Sequence, residues 1–246
     1  MVTYPIGTYR LQSRTLELYG HPDLFTPNPI TTRFSRAVES VSDAIVFDIG
    51  TGIGPLAIWA GLEGAKEVYA IDPLPEHIKV ARLNIKKYGL EEKVHAYEGN
   101  IFSTPEDILE GKKADIIIGD VSGIADRVAR VLEWYPKNVP TGGEDGTDVV
   151  TALLESAPQY LTEGGVLYFA ISIGLSDHTR VMDVANKHFS SVTPLREAPL
   201  FFPFSEDEVN ALEGAYNDSH PDFIKIIKQS GRLGWQGQMY RASNSK

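Results

Sequence analysis

Apolar runs of strand length alternate along the chain with longer segments whose apolar residues recur every three or four positions. AIVFDI (44–49), EVYAID (67–72), KVHAYEG (93–99), ADIIIGD (114–120) and GGVLYFAISI (164–173) read as strands. PLAIWAGL (55–62) opens a helix at Pro55, a first-turn position where the missing N–H costs nothing. PEHIKVARLNIKKYG (75–89) puts Ile78, Ala81, Ile85 and Tyr88 on one helical face and stops at Gly89. TDVVTALLESAPQYL (147–161) and DHTRVMDVANKHF (177–189) read as further helices, and WQGQMYRAS as a last strand. Strand–helix alternation at this spacing implies an α/β fold with a doubly wound, mostly parallel sheet.

Two stretches break the rhythm. Residues 1–35 are rich in Tyr, Pro and Thr, and residues 200–235 carry FFPFSEDEVNALEGAYNDSHPDFIKIIKQSGRLG. Both are expected to be irregular lids over the carboxyl end of the sheet, where open α/β folds bind ligands. The expected organisation is one domain over 1–246, with a core at 36–199 and the last strand and tail at 236–246.

Between the first strand and first helix the chain passes Gly50, Gly52 and Gly54, preceded by Asp48. The spacing is G-x-G-x-G, not the G-x-G-x-x-G of dinucleotide sites, and Pro55 follows directly. Asp72 ends the next strand, where a carboxylate can accept hydrogen bonds from ribose hydroxyls. Glycines here let a ligand approach the backbone with no Cβ in the way. A ligand with an ammonium rather than a pyrophosphate suits the acidic loop around Asp48. S-adenosylmethionine (SAM) fits that description, and NAD is the rival.

Composition narrows the rest. The chain has 246 residues, a formal net charge of −10 and no cysteine. Disulfides, thiol nucleophiles and Cys-ligated metals are excluded. An acidic chain is a poor partner for nucleic-acid phosphates. The start, MVTYPIGTYRLQ, does not read as a signal peptide, and no apolar run has the length of a membrane span. A cytoplasmic location is the expectation, with no membrane partner. His21, His77, His95, His178, His188 and His220 are scattered without ligand spacing, so no metal site is expected and no catalytic histidine stands out.

Five segments together resemble the release-factor glutamine methyltransferases (HemK-type), a branch of the class I SAM-dependent methyltransferases. LFTPNPITTR (24–33) is similar to the segment preceding that family's sheet, FDIGTGIGPLAI (47–58) to its glycine motif, and GNIF (99–102) to its adenine-side turn. ADIIIGDVSGI (114–124) aligns with the strand ending in N-P-P-Y, and GGEDGTDVVTALLESAPQYLTEGGVLYFAI (142–171) with the family's G-G-x-D-G segment, helix and strand. The resemblance implies a Rossmann-like, seven-stranded sheet with an antiparallel last strand. It implies SAM as cofactor and S-adenosylhomocysteine (SAH) as product, held by Asp48, Gly50, Thr51, Gly52, Gly54, Asp72, Pro73, Asn100, Ile101, Asp120 and Val121.

The acceptor motif departs from the family. Asp120-Val121-Ser122-Gly123 stands where N-P-P-Y is found, so the prolines and the aromatic platform are absent. Asp120 still accepts a hydrogen bond from an N–H, and its charge favours a nitrogen acceptor over a carboxylate or phenolate. It either positions the acceptor or takes its proton. Ser122 either binds substrate or caps the following helix. Tyr9, Tyr19, Phe25 and Thr31 either wall the pocket or serve packing. Phe202 and Phe204 are pocket candidates, beside a capping box formed by Ser205 and Glu208. LEWYPKN (132–138) has no recognisable motif but is placed to line the acceptor pocket.

Family members also carry an amino-terminal helical domain for their protein partner, whereas here about 23 residues precede LFTPNP. With the lost platform, this leads to an expectation of a small-molecule acceptor, most readily an amine, amide or guanidine-like nitrogen. Protein glutamine methylation is the alternative, and a SAM-binding protein without activity is the alternative of another class. Oligomeric state is not legible in the sequence.

Overall fold

The five apolar runs form the parallel part of one sheet in the computed structural model, which describes residues 4–103, 108–196, 198–216 and 221–244. The chain opens with β1 (Tyr4–Leu11), β2 (Arg14–Gly20) and α1 (Pro29–Ala37). It continues through β3 (Ile45–Ile49), α2 (Pro55–Leu62), β4 (Glu67–Asp72), α3 (Pro75–Lys87), β5 (Val94–Glu98) and β6 (Ala114–Gly119). Then follow α4 (Asp126–Val131), α5 (Asp148–Ser156), β7 (Leu161–Ile173) and α6 (His178–His188). The last part holds β8 (Ser191–Pro194), β9 (Leu200–Pro203), α7 (Glu206–Tyr216), β10 (Ile227–Gln229) and β11 (Arg232–Ser243).

The sheet order is β10-β11-β7-β6-β3-β4-β5, with β8 and β9 also paired to β11. β7, β6, β3, β4 and β5 run parallel, and β11 pairs antiparallel with β7. The path thus has seven strands with an antiparallel penultimate one, and two short strands extend β11. From β3 the chain crosses to β4 on one side, while β6 lies on the other. That switch opens a crevice beyond the carboxyl ends of β3 and β6, where α/β sheets take their ligands.

Two cores cover the sheet. One packs α1, α2, α3 and the β1–β2 hairpin on one face, with Trp59 and Phe34 fully buried. The other packs α5 and α6 on the opposite face, around Phe47, Phe169 and Leu153. A third cluster unites α4 and α7 through Val128, Leu132, Leu212, Tyr216 and Trp235.

The amino-terminal region is a hairpin and a helix, which corrects the expectation of an irregular segment. In R-T-L-E-L-Y-G the residues Leu16, Leu18 and Gly20 are buried in alternation, the period of a half-buried strand. α1 begins with a capping box: the Asn28 side chain accepts from the N–H groups of Ile30 and Thr31, and the Asn28 N–H donates to Thr31 Oγ1. The expected helix over 147–161 ends at Ser156; residues 157–160 wind more tightly around Pro158, whose nitrogen cannot continue the ladder, and β7 then starts at Leu161. The expected lid at 200–235 contains β9, α7 and β10, with β11 already begun at Arg232.

Candidate functional site

The glycine loop is shaped by three left-handed residues, with φ of 77° at Gly50, 54° at Gly52 and 92° at Gly54. Gly50 and Thr51 donate to the carbonyl of Ile71, which staples the loop to the end of β4. A Cβ at Gly50 would stand 3.0 Å from the Asp120 carbonyl oxygen, so only glycine lets the loop touch the end of β6. A Cβ at Gly52 would meet nothing within 4 Å; that face of the loop is open to a ligand.

Asp48 is fully buried beneath the loop. Its Oδ2 accepts from Thr51 Oγ1 at 2.6 Å, while Oδ1 has no hydrogen-bond partner among the described residues. Burial pushes its carboxyl up to about 7, against the Thr51 hydrogen bond and reinforced by Asp120. A buried acceptor without a partner is costly, and an arriving ammonium would satisfy it.

Asp72 lies 5% exposed at the end of β4. Its Oδ2 accepts from Gly52 N–H at 2.9 Å; its Oδ1 accepts from Leu74 N–H at 3.0 Å and faces His77 Nδ1 at 2.8 Å. A carboxylate offers about four lone-pair sites, so one remains on Oδ2 for ribose. Pro73 is exposed beside it. Asn100 is exposed beyond β5 in a tight turn closed on Ser103, and Ile101 in that turn has φ of 56°. A β-branched residue in the left-handed region marks a turn held by its surroundings.

Asp120 follows β6, half-buried, with Thr31 beside it in the cleft and Val121 against the glycine loop. Desolvation raises its carboxyl to about 6, opposed by the nearby Thr31 hydroxyl. Phe25, Pro27, Thr31, Asp48, Gly50, Thr51, Gly52 and Asp120 all line one cleft of about 30 Å³. Phe25, Pro27 and Thr31 of the segment before and within α1 form one wall of it.

Ser122 Oγ donates to Tyr135 Oη at 3.3 Å, and the Tyr135 ring meets Phe25 at 5.0 Å between centroids. Burial holds the Tyr135 phenol neutral, its pKa pushed up to about 12, with Asp120 adding to the shift. Tyr135 from LEWYPKN thus stands beside Asp120. The reading of Ser122 as a helix cap is not realised: α4 is capped at Ala125 with no side-chain hydrogen bond.

Other expected wall residues sit elsewhere. Tyr19 is tied by its backbone to Asn84 on α3, with Lys87 Nζ over its ring, and Tyr9 packs in the hairpin against the first core. Neither lines the cleft, because the hairpin docks on the outer side of α2 and α3. Phe202 stacks on Trp235 at 4.5 Å and Phe204 meets Trp134 at 6.0 Å, one layer behind Tyr135. Ser205 and Glu208 form the capping box of α7, and Glu208 also accepts from Trp134 Nε1. No grouping of three or more metal-binding side chains occurs among the described residues, and His220 lies outside them.

Comparison with known proteins narrows the family. The model of the ribosomal protein L11 methyltransferase (PrmA) family matches residues 31–147. The release factor glutamine methyltransferase of Thermosynechococcus vestitus is 30% identical over 192 residues, covering 74% of this chain and 66% of that protein. By sequence the chain is similar to the class I SAM-dependent methyltransferases, and it has their fold.

The ribosomal protein uL3 glutamine methyltransferase of Francisella tularensis is 29% identical over 156 residues, 61% of this chain and 48% of that protein. The chain spans roughly half to two thirds of the length of the curated relatives it matches. Among solved structures, the ribosomal protein L11 methylase of Lactobacillus delbrueckii subsp. bulgaricus superposes with a TM-score of 0.54 at 18% identity, covering 92% of this chain and 83% of that one. The T. thermophilus 16S rRNA N2 G1207 methyltransferase, in complex with AdoMet and guanosine, gives 0.60 at 14% identity, covering 99% of this chain and 50% of that one. These two share the fold. SAM is the cofactor, and the residues fit it: an orphaned buried carboxylate oxygen, an open glycine face and a strand-end acid with a free lone pair.

The expectation of a small-molecule acceptor is corrected. The sequence relatives are named for glutamines of release factors and of ribosomal protein uL3, which are proteins. In place of the N-P-P-Y aromatic, the rings of Phe25 and Tyr135 meet near Asp120. As to membranes, no helix among the described residues is long and apolar enough to cross one.

Proposed function

We propose that this chain is a protein N-methyltransferase whose acceptor is a side-chain nitrogen, a glutamine amide foremost, presented beside Asp120. The observation that carries the reading is the meeting of four groups at the end of β6: the Asp120 carboxylate, the Thr31 hydroxyl beside it, and the rings of Phe25 and Tyr135. The homology to glutamine methyltransferases supports the acceptor class.

When bound, SAM supplies an electrophilic methyl group on a sulfonium. The chain's part is placement and charge. Asp48 receives the ammonium, and Asp72 receives a ribose hydroxyl. Asp120 accepts a hydrogen bond from the acceptor N–H, aims the nitrogen lone pair at the cofactor side, and takes the proton that the nitrogen sheds. A carboxyl raised to about 6 is ionised at neutral pH yet more basic than an ordinary carboxylate, which suits that task. Its charge also offsets the positive charge that develops on the nitrogen. Phe25 and Tyr135 give a planar amide an apolar wall and keep water out. The cytoplasm, where such acceptors are made, is the proposed location.

The test is methyl transfer from labelled SAM to purified release factor and to ribosomal proteins uL3 and L11, with the modified residue located by mass spectrometry. Modification of a side-chain nitrogen in one of them is the expected result. SAH binding without transfer to any of the three, or transfer to oxygen, would sink the acceptor assignment.

A further inference from the structure

His77 is buried at 3% exposure in the first turn of α3, and both of its ring nitrogens are engaged. Phe25 N–H donates to Nε2 at 3.2 Å, so Nε2 carries a lone pair. In the neutral imidazole the proton is then on Nδ1, which donates to Asp72 Oδ1 at 2.8 Å. The tautomer is therefore fixed by the two partners. The ring bridges a carboxylate at the end of β4 to the backbone of a segment 52 residues earlier in the chain.

The two ends of this bridge belong to different halves of the site. Asp72 also holds Gly52 N–H in the glycine loop. Phe25 packs its ring on Tyr135, which reaches Ser122 and stands beside Asp120. A histidine buried this deeply needs a partner on each ring nitrogen, and the identity of the second partner is what matters. Here the second hydrogen bond goes to the first residue of the segment that forms one wall of the cleft.

We propose that His77 is a positioning residue that couples the cofactor carboxylate to the acceptor wall, so that cofactor bound at Asp72 tightens the segment carrying Phe25. This rests on the reading of Asp72 as the ribose acid. Three N–H groups aim the carboxylate, leaving Oδ2 toward the loop, and of those donors only His77 is a side chain. It is the one that passes the order of the carboxylate outward, to Phe25.

Substitutions separate its two hydrogen bonds. In His77→Asn the amide nitrogen stands near the place of Nδ1 and keeps Asp72 but loses Phe25. In His77→Gln the amide oxygen reaches the place of Nε2 and keeps Phe25 but loses Asp72. His77→Leu keeps neither. The probe is SAH, titrated calorimetrically, with hydrogen exchange read at the Phe25 amide with and without it. Affinity is expected near wild type for His77→Asn and about tenfold weaker for His77→Gln and His77→Leu, the ratio for one hydrogen bond to a charged group. SAH is expected to slow exchange at Phe25 in wild type and in none of the three variants. The inference is overturned if the His77 series binds SAH alike, or if SAH slows Phe25 exchange in His77→Asn as much as in wild type. Asn and Gln each retain a buried hydrogen bond, so the comparison holds even where His77→Leu does not fold. If wild type binds no SAH, the cofactor site itself is misassigned. If wild type binds and Asp72→Ala weakens it while the His77 series is flat, the coupling alone is wrong.

Discussion

Asp48, proposed to receive the SAM ammonium, destabilises the ligand-free fold when it is ionised. Its carboxyl, raised to about 7 by burial, is neutral at low pH, and ionising it costs the fold. A raised acid contributes stability that is complete below its ordinary pKa and lost as pH rises through about 7. Asp48→Asn is therefore expected to raise the unfolding midpoint of the ligand-free protein at pH 8, by about 3 °C for each kcal/mol recovered. The same change should abolish measurable SAM binding. Because the ammonium needs the ionised form, SAM affinity should climb by up to about tenfold per unit between pH 5 and 7, as one proton is released. Calorimetry in buffers of different ionisation heat counts that proton, and a flat profile would refute the role. Asp120 makes a different prediction. The rate should rise through pH near 6 as it ionises, and Asp120→Asn should remove that limb and lower kcat by about 10²–10³ with SAH affinity intact. The glycines divide in the same way. Gly50→Ala forces a Cβ onto the Asp120 carbonyl and should cost more than the roughly 1–2 kcal/mol of a left-handed alanine. Gly52→Ala should cost only that strain in thermal unfolding, yet weaken SAM strongly, because its Cβ points into open space where the ligand lies.

At the scale of elements, the segment from Phe25 to α1 does more than connect. Its capping box sets Thr31, and Thr31 lies beside Asp120. Asn28→Ala is expected to destabilise by about 1 kcal/mol, the usual loss of an N-cap. It should also shift the pH–rate profile, since a Thr31 freed from the cap no longer favours the Asp120 charge; an unchanged profile would limit Asn28 to stability. The alternation that placed β3, β4, β6 and the helices after β3 and β4 was legible because each buries an uninterrupted apolar stripe. The hairpin was missed because its strand signal is three residues long on one side, Leu16, Leu18 and Gly20, inside a Tyr- and Thr-rich stretch. Helix α4 was missed because six residues give too little periodicity to read. Asp48, Gly50 and Asp120 were legible because they sit at the ends of strongly patterned strands. Tyr135 and His77 were not: one reaches the site from a short irregular segment, and the other is an unremarkable helix residue whose two partners are far away in sequence.

Over the whole molecule, acceptor chemistry is assembled from pieces that only tertiary structure brings together. N-P-P-Y is a local answer to the need for a wall, whereas here the wall comes from Phe25 ahead of the sheet and Tyr135 after α4. Behind it, Trp134, Phe204, Phe202 and Trp235 join the wall to α7 and to β11.

That aromatic layer also has an optical consequence. The chain has three tryptophans. Trp59 is 1% exposed in the first core, shielded from water and away from the Tyr135 layer. Trp134 and Trp235 lie 6.0 Å apart behind Tyr135, and the indole N–H of Trp134 is bound to the Glu208 carboxylate. A protein acceptor seated against Tyr135 should therefore change the emission of this pair while Trp59 supplies a constant blue background. Trp134→Phe should remove most of the change. The enzyme carries its own fluorescent reporter of acceptor docking, readable before any methyl group has moved.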